Sequence, residues 1–291
     1  MRGVSESMAG RAAVLELLPM SLAETAKVNL LDGGYPEVLA RPRARRLWFS
    51  SYLQTYIERD VRSITAIRDL ATFRRFFALV ASRHGSVLNK TDLAAPLGMS
   101  VPAIGNWLDI LEATAQVLMV QPYFDNLGKR IIKSPKVYIS DSGLACHLLG
   151  IESRGELERS PFLGAIVEGF VASEIIKAQV NAGDRRQLFY FRDQQGLEVD
   201  FVVPGKQGGV SLIEVKATRS VKPAMAQSLL RLAAAWKERA GGGKVEKVVV
   251  HREGRGAPST TALAPGVKAV TIPDFVAEAS RPRRAKTRST A

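Results

Sequence analysis

The chain has 291 residues, 46% of them hydrophobic, enough for two globular domains with their own cores. A single cysteine, Cys146, excludes an intramolecular disulfide and a cysteine-rich zinc site. With 41 basic and 28 acidic residues the net charge is +13, which favours polyanionic partners such as nucleic acid. Five of the basic residues lie in the expected disordered tail, 281–291. No apolar run approaches the ~20 residues that cross a bilayer, and no secretory signal is present, so we expect a cytoplasmic protein without membrane contact.

Residues 26–150 are expected to form a helical region and a winged helix-turn-helix. Apolar residues recur at helical spacing over about 41–83, with many arginines on the opposite faces. Thr91 can cap a short helix that ends at Gly98, and Ser100 can cap a longer one. Two strands, VLMVQPY and VYIS, then flank the basic loop NLGKRIIKSPK. Two helices joined by a tight turn and followed by such a hairpin are typical of a winged helix.

The expected recognition helix has little that could read bases. Of its exposed positions only Asn106 is suited to a base edge, because Pro102, Ala103 and Asp109 are not. We therefore expect nucleic-acid contact that is weakly sequence-specific, with phosphates held by the basic loop. The candidate phosphate contacts are Lys129, Arg130, Lys133 and Lys136.

Residues 151–280 read as a mixed α/β domain. An amphipathic helix over 161–180 is followed by three strand candidates, QLFYFR, LEVDFVV and VSLIEVKA. A second helix and the strand VEKVVVH come next. The strand-helix-strand unit over 211–251 predicts a parallel pair, because such crossovers are right-handed connections within one sheet.

Charged residues interrupt two of these strands. Asp200 and Glu214 can meet if the strands pair, with Lys216 beside Glu214 on the same face. Two close carboxylates repel unless one is protonated or a cation lies between them, and hard ions such as Mg²⁺ prefer this oxygen ligation. The spacing alone also fits a solvated edge hairpin in which Glu214 and Lys216 simply pair across strands.

The pattern EVD, then EVK, within helix-strand-strand-strand-helix-strand resembles the PD-(D/E)xK restriction-endonuclease-like fold, although Val199 stands where the family has proline. The resemblance implies that Asp200 and Glu214 bind Mg²⁺ or Mn²⁺ and that Lys216 assists the attacking water. It also implies that Glu168, in GAIVEGF, joins the metal site. Catalysis would then rest on Lys216, Asp200 and Glu214.

The motifs GGYPEV, YIERDVRSI, LGMSVPAIGNWLDILE, KSPKVYISDSGLACHLLG, YFRDQQGLEVDFVV and IEVKAT together resemble a family of prokaryotic AAA-type ATPases. Those proteins place a winged helix and a nuclease-like domain of unknown function after the ATPase domain. Residues 1–25 resemble the end of that ATPase domain, but no Walker A or Walker B segment is present, so ATP binding and ATPase activity are not expected from this chain.

The resemblance leaves two readings of function. In one, the C-terminal part of an ATPase-family protein carries a nuclease-like module that binds a metal and nucleic acid and cleaves phosphodiesters. In the other, the module is non-catalytic and binds DNA, a protein partner or an upstream ATPase fragment. The expected fold class is α/β plus α: a helical and winged-helix region followed by a restriction-endonuclease-like α-β-β-β-α-β domain.

Overall fold

The computed structural model describes residues 15–61, 69–123, 132–205, 208–239, 243–254 and 260–281. The helices are α1 (Pro36–Ala40), α2 (Arg45–Thr55), α3 (Leu70–Ser82), α4 (Lys90–Ala94), α5 (Val101–Ala113), α6 (Ser142–Leu148), α7 (Arg154–Arg159), α8 (Leu163–Asn181), α9 (Gln227–Arg239) and α10 (Ile272–Ala279). The strands are β1 (Ser86–Val87), β2 (Val117–Pro122), β3 (Lys136–Ile139), β4 (Phe189–Arg192), β5 (Glu198–Pro204), β6 (Val210–Lys216), β7 (Val245–His251), β8 (Thr260–Ala264) and β9 (Val267–Thr271). Among the helices described, none has the length and apolar character needed to span a membrane.

One mixed sheet runs through the described part of the chain, in the order β1-β3-β2-β4-β5-β6-β7-β9-β8. Its first three strands pair antiparallel and belong to the helical N-terminal region. The link to the rest of the sheet is a short parallel pairing in which Gln121 and Pro122 of β2 lie opposite Phe189 and Tyr190 of β4. The two regions predicted from the sequence therefore share a sheet.

The helical N-terminal region folds from local signals that the sequence carries. Ser100 Oγ accepts a hydrogen bond from Ala103 N (3.3 Å) and caps α5, as predicted. The cap of α4 is Asn89, whose Oδ1 accepts from Thr91 N (3.0 Å), so the prediction that Thr91 is the cap was wrong by two residues. Gly98 ends the segment after α4 in the left-handed region, with φ of 62°.

The α/β region has the predicted order of elements, α8-β4-β5-β6-α9-β7. Strands β4, β5 and β6 are antiparallel, and β6 and β7 are parallel, as the strand-helix-strand unit predicted. Helix α8 packs on one side of the sheet, with Phe170 and Ile175 in the same core as Phe201. Helix α9 buries Leu229 and Trp236 in another core with other residues of β5 and β6. The strands β8 and β9 and the helix α10 extend this region and were not predicted.

A buried carboxylate ties the N-terminal segment to the sheet. Asp141, 1% exposed, caps α6 by accepting from Leu144 N (2.9 Å), and it also accepts from Gly34 N (2.7 Å). A side chain at Gly33 would collide with the same carboxylate. The GGYP and SDSG motifs therefore pack against each other.

Replacing Asp141 with alanine should destabilise the protein by about 2–4 kcal/mol, because two buried N–H groups lose their acceptor. The matched control is Ser153→Ala, which removes the exposed cap of α7 (Ser153 Oγ to Glu156 N, 3.2 Å) and should cost about 1 kcal/mol or less. Urea unfolding of both variants measures the difference. Equal losses would show that the contact with Gly34 contributes nothing.

Candidate functional site

Asp200 and Glu214 lie where the pairing of β5 with β6 ends. The pairing of β5 with β6 ends at Phe201, which lies opposite Ile213. One residue further in the same register, Asp200 would lie opposite Glu214. Asp200 Oδ2 accepts a hydrogen bond from Val215 N (2.8 Å), so its carboxylate takes the place of the ladder bond. The two carboxylates are therefore held at the same end of the sheet.

A bulge in β5 helps to aim Asp200. Between the pairs Phe189–Val202 and Phe191–Val199, strand β5 contributes two residues, Asp200 and Phe201, opposite a single residue of β4. Bulges redirect side chains and are frequent beside functional sites. The strict alternation assumed from the sequence does not hold at this position.

Glu214 is nearly buried and is only half satisfied. Its Oε1 accepts from Lys216 Nζ (2.6 Å), whereas its Oε2 has no hydrogen-bond partner among the described residues. The side chain of Glu214 is 10% exposed, and that of Lys216 is 33% exposed. One carboxylate oxygen is thus available to a ligand, and the lysine beside it reaches solvent.

Glu168 joins these residues from helix α8. Its Oε1 accepts from Tyr138 Oη (2.5 Å) and from Lys136 Nζ (2.9 Å). The helix approaches closely here because residue 169 is glycine, which lies against His84 and Tyr138. The structure therefore brings together the four residues that the resemblance implied for the site, Glu168, Asp200, Glu214 and Lys216. We call the four carboxylates here, Glu168, Glu198, Asp200 and Glu214, the carboxylate cluster; Glu198 belongs to it because it also contacts Lys136.

Lys136 lies inside the carboxylate cluster rather than on the surface. Its side chain is 3% exposed, and its Nζ is 2.9 Å from Glu168 Oε1, 2.7 Å from Glu198 Oε1 and 4.0 Å from Asp200 Oδ1. The sequence placed Lys136 among the phosphate contacts of the basic loop. The assignment of Lys136 as a phosphate contact is corrected, because Lys136 is the first residue of β3, all of which is buried. Its ammonium forms ion pairs with Glu168 and Glu198.

The cluster retains unbalanced negative charge. Burial, together with the neighbouring charge of Asp200, raises the pKa of Glu168 to about 7 and that of Glu214 to about 7. Burial also raises the pKa of Asp200. Lys136 and Lys216 have raised pKa values as well, because carboxylates surround them and outweigh the effect of burial. Glu168 and Glu214 therefore hold protons at a higher pH than ordinary glutamates do.

The fit to a divalent ion is partial. The donors are carboxylate oxygens, which hard ions such as Mg²⁺ and Mn²⁺ prefer, and Glu214 Oε2 is free to bind. In the described ranges, however, no group of three or more Asp, Glu, His or Cys side chains is arranged so that it could hold a metal. Lys136 accounts for this physically, because its ammonium already occupies oxygens of Glu168 and Glu198. Asp200 and Glu214 remain as the pair that could hold an ion.

Of the other predicted nucleic-acid contacts, two are exposed and two fall outside the described residues. Asn106 is exposed on α5, and Lys133 is exposed just before β3. The segment that carries Lys133 runs along β4, since Ile132 N donates to Arg192 O (3.2 Å). Lys129 and Arg130 fall outside the residues that the structure describes. Lys133, three residues before Lys136, is thus exposed beside β4.

Sequence reasoning missed Tyr138 and left Glu198 out of the site. Glu198 carried a signal, because it alternates with Asp200 on the same strand. Lys136 carried none, because a lysine at the start of a strand is ordinarily exposed. Tyr138 carried none, because a buried tyrosine in a strand is ordinary.

Comparisons with known proteins match the chain in two adjoining parts. Residues 24–155 match a family model described as Domain of unknown function (DUF8612), and residues 163–275 match one described as Domain of unknown function (DUF4143). Uncharacterised proteins of Mycobacterium bovis and Mycobacterium tuberculosis are each 34% identical over 236 residues, which are 78% of this chain and 52% of the relative. The chain thus spans about half the length of these curated relatives. It joins a region that matches DUF8612, which supplies Lys136, to a region that matches DUF4143, which supplies the carboxylate cluster.

Proposed function

We propose that the chain is a nuclease-like module in which Asp200 and Glu214 bind a divalent ion and Lys216 assists cleavage of a nucleic-acid phosphodiester. The observation that carries the proposal is the convergence of these three residues at one strand end, with the buried Glu214 Oε2 unpaired. A sequence resemblance to AAA-type ATPases supports a role beside an ATPase.

The chemistry assigns a distinct task to each residue. A bound Mg²⁺ or Mn²⁺ would polarise the phosphate and lower the pKa of a coordinated water. Val215 N donates a hydrogen bond to Asp200, and Lys216 Nζ donates one to Glu214. Both carboxylates that would bind the metal are therefore oriented before it binds. Lys216 reaches solvent and can align the attacking water. In such a cleavage the oxygen of the water that Lys216 aligns would bond to phosphorus, one P–O ester bond would break, and a proton of the water would end on the leaving oxygen.

Metal titration and cleavage tests separate the roles. Asp200→Asn and Glu214→Gln should each weaken Mn²⁺ binding, measured by calorimetry, by about tenfold or more, because each removes a charged ligand. Lys216→Ala should not weaken Mn²⁺ binding, because the ammonium is not a ligand and repels a cation, but it should lower Mg²⁺-dependent nicking of plasmid DNA by about 100-fold or more.

The control for both tests is Glu246→Gln, a carboxylate in β7 that pairs with Lys268 (3.5 Å) and lies outside the cluster. This variant should behave as the unmodified protein does. If the unmodified protein takes up no Mn²⁺ at millimolar concentration, the metal site is rejected. Nicking that survives Glu214→Gln would contradict the role of Glu214 in cleavage.

A second candidate function has its own observation in support. Lys136 and Lys216 already offset much of the charge of the cluster, which suits a non-catalytic module that binds DNA or protein. In that case DNA binding, measured by fluorescence anisotropy, should be unchanged by EDTA and should weaken steeply with salt.

A further inference from the structure

The cation at the centre of the carboxylate cluster comes from the other region of the chain. Lys136 belongs to β3, whereas the four carboxylates lie on α8, β5 and β6. Its ammonium is within 3 Å of an oxygen of Glu168 and of Glu198, and it lies 5.5 Å from the centre of the Tyr190 ring. A buried ammonium with these contacts is fixed in position.

The ammonium pairs with only part of the cluster. The Oε1 atoms of Glu168 and Glu198 are in contact with Lys136. Asp200 is farther away, with its Oδ1 4.0 Å from the ammonium and its Oδ2 accepting from Val215 N. Glu214 Oε2 has no partner in the described part of the chain. An ammonium and a divalent ion both seek carboxylate oxygens, and they repel each other when close.

We propose that Lys136 is a built-in substitute for a metal ion: it occupies the position between Glu168 and Glu198, competes for Asp200, and limits the site to one weakly held divalent ion beside Glu214. The inference rests on the metal site of the proposed function, and it adds a residue that determines how many ions bind and how tightly. Lys136 is a positioning residue for the site rather than a catalytic one.

Calorimetric titration of the full chain with Mn²⁺ tests the inference. Lys136→Met should bind Mn²⁺ at least about tenfold more tightly than the unmodified protein, or bind a second ion, because the repelling ammonium 4.0 Å from Asp200 Oδ1 is removed and oxygens of Glu168 and Glu198 are released. Its melting temperature should fall without metal and recover with Mn²⁺ more than that of the unmodified protein does.

The matched control is Arg192→Met. Arg192 also contacts Glu198 (Nε to Oε2, 3.5 Å), but its side chain is 42% exposed. Removing this charge should change Mn²⁺ affinity by less than about fivefold, as for a surface pair. If Lys136→Met does not fold, the double variant Lys136→Met with Glu198→Gln removes one charge of each sign and should show the same gain over the unmodified protein.

The two proposals fail in different ways. Identical stoichiometry and affinity for Lys136→Met and the unmodified protein would overturn the role of Lys136, while the Mn²⁺ binding of the unmodified protein would keep the proposed function intact. Binding by Lys136→Met alone would show that the ammonium substitutes for a metal, and it would reject the ion assigned beside Glu214 in the unmodified protein and with it the proposed function.

Discussion

Gly169→Ala should destabilise the protein by about 3 kcal/mol or more, at the upper end of what overpacking costs. A Cβ at this position would lie 2.6 Å from His84 Cε1 and 3.1 Å from Tyr138 Cδ1, and closer still to His84 Nε2. His84 cannot move aside easily, because it is 3% exposed and its Nδ1 accepts from Ile139 N (2.9 Å). Because Glu168 is the preceding residue, the same displacement would disturb its bond to Tyr138.

The same helix offers a matched control for this prediction. Gly164 is exposed in α8, and a Cβ there would meet nothing within 4 Å. Gly164→Ala should therefore stabilise the protein by about 0.5–1 kcal/mol through helix propensity. Chemical unfolding measures both variants. A Gly169→Ala protein as stable as the unmodified one would show that His84 is not where the structure places it.

The metal-free protein should lose about 3 kcal/mol of stability between pH 5 and pH 8 through the carboxylate cluster. Glu168 and Glu214 have pKa values near 7 in the folded protein, against an ordinary value of 4.5. An acid whose pKa is raised by folding holds its proton more tightly in the folded state. Its stabilising effect is complete below about pH 4.5 and disappears as the pH rises through 7. The two groups titrate together, so their effects do not simply add.

Urea unfolding in EDTA at pH 5 and at pH 8 measures this loss. Glu214→Gln should flatten the dependence, because an amide does not ionise. Glu37→Gln, at an exposed carboxylate in the first turn of α1, should leave it unchanged. A protein equally stable at both pH values would mean that Lys136 and Lys216 neutralise the cluster completely.

Periodicity and capping residues predicted most of the elements of this fold. Helix α8 and strands β4 to β7 follow from apolar spacing that each segment carries by itself. The segments β8 and β9 did not stand out, since TTALAPGVKAVT contains a proline and a glycine between two short strands. Their assignment depends on pairing with each other and with β7, which is a property of the whole sheet.

The site was predictable where its residues share neighbouring strands. Asp200, Glu214 and Lys216 come together through one antiparallel pairing, which alternation alone suggests. The position of Lys136 depends on a chain of pairings from β3 through β2 and β4 to β5, and no local pattern contains that information. The basic composition of the preceding loop pointed to the surface instead. The bulge at Asp200 was hidden for the same reason.

The short parallel contact between β2 and β4 also joins the two matched regions, so that they do not form separate structural units. The boundary between the two family matches falls in the sequence near residue 160, yet the hydrogen-bonded sheet crosses it without a break. A polypeptide of residues 163–281 would expose the free edge of β4, and an uncovered strand edge promotes aggregation. It would also leave Glu168 and Glu198 without the ammonium of Lys136. Dissection at the apparent boundary would therefore yield a fragment whose chemistry differs from that of the intact protein.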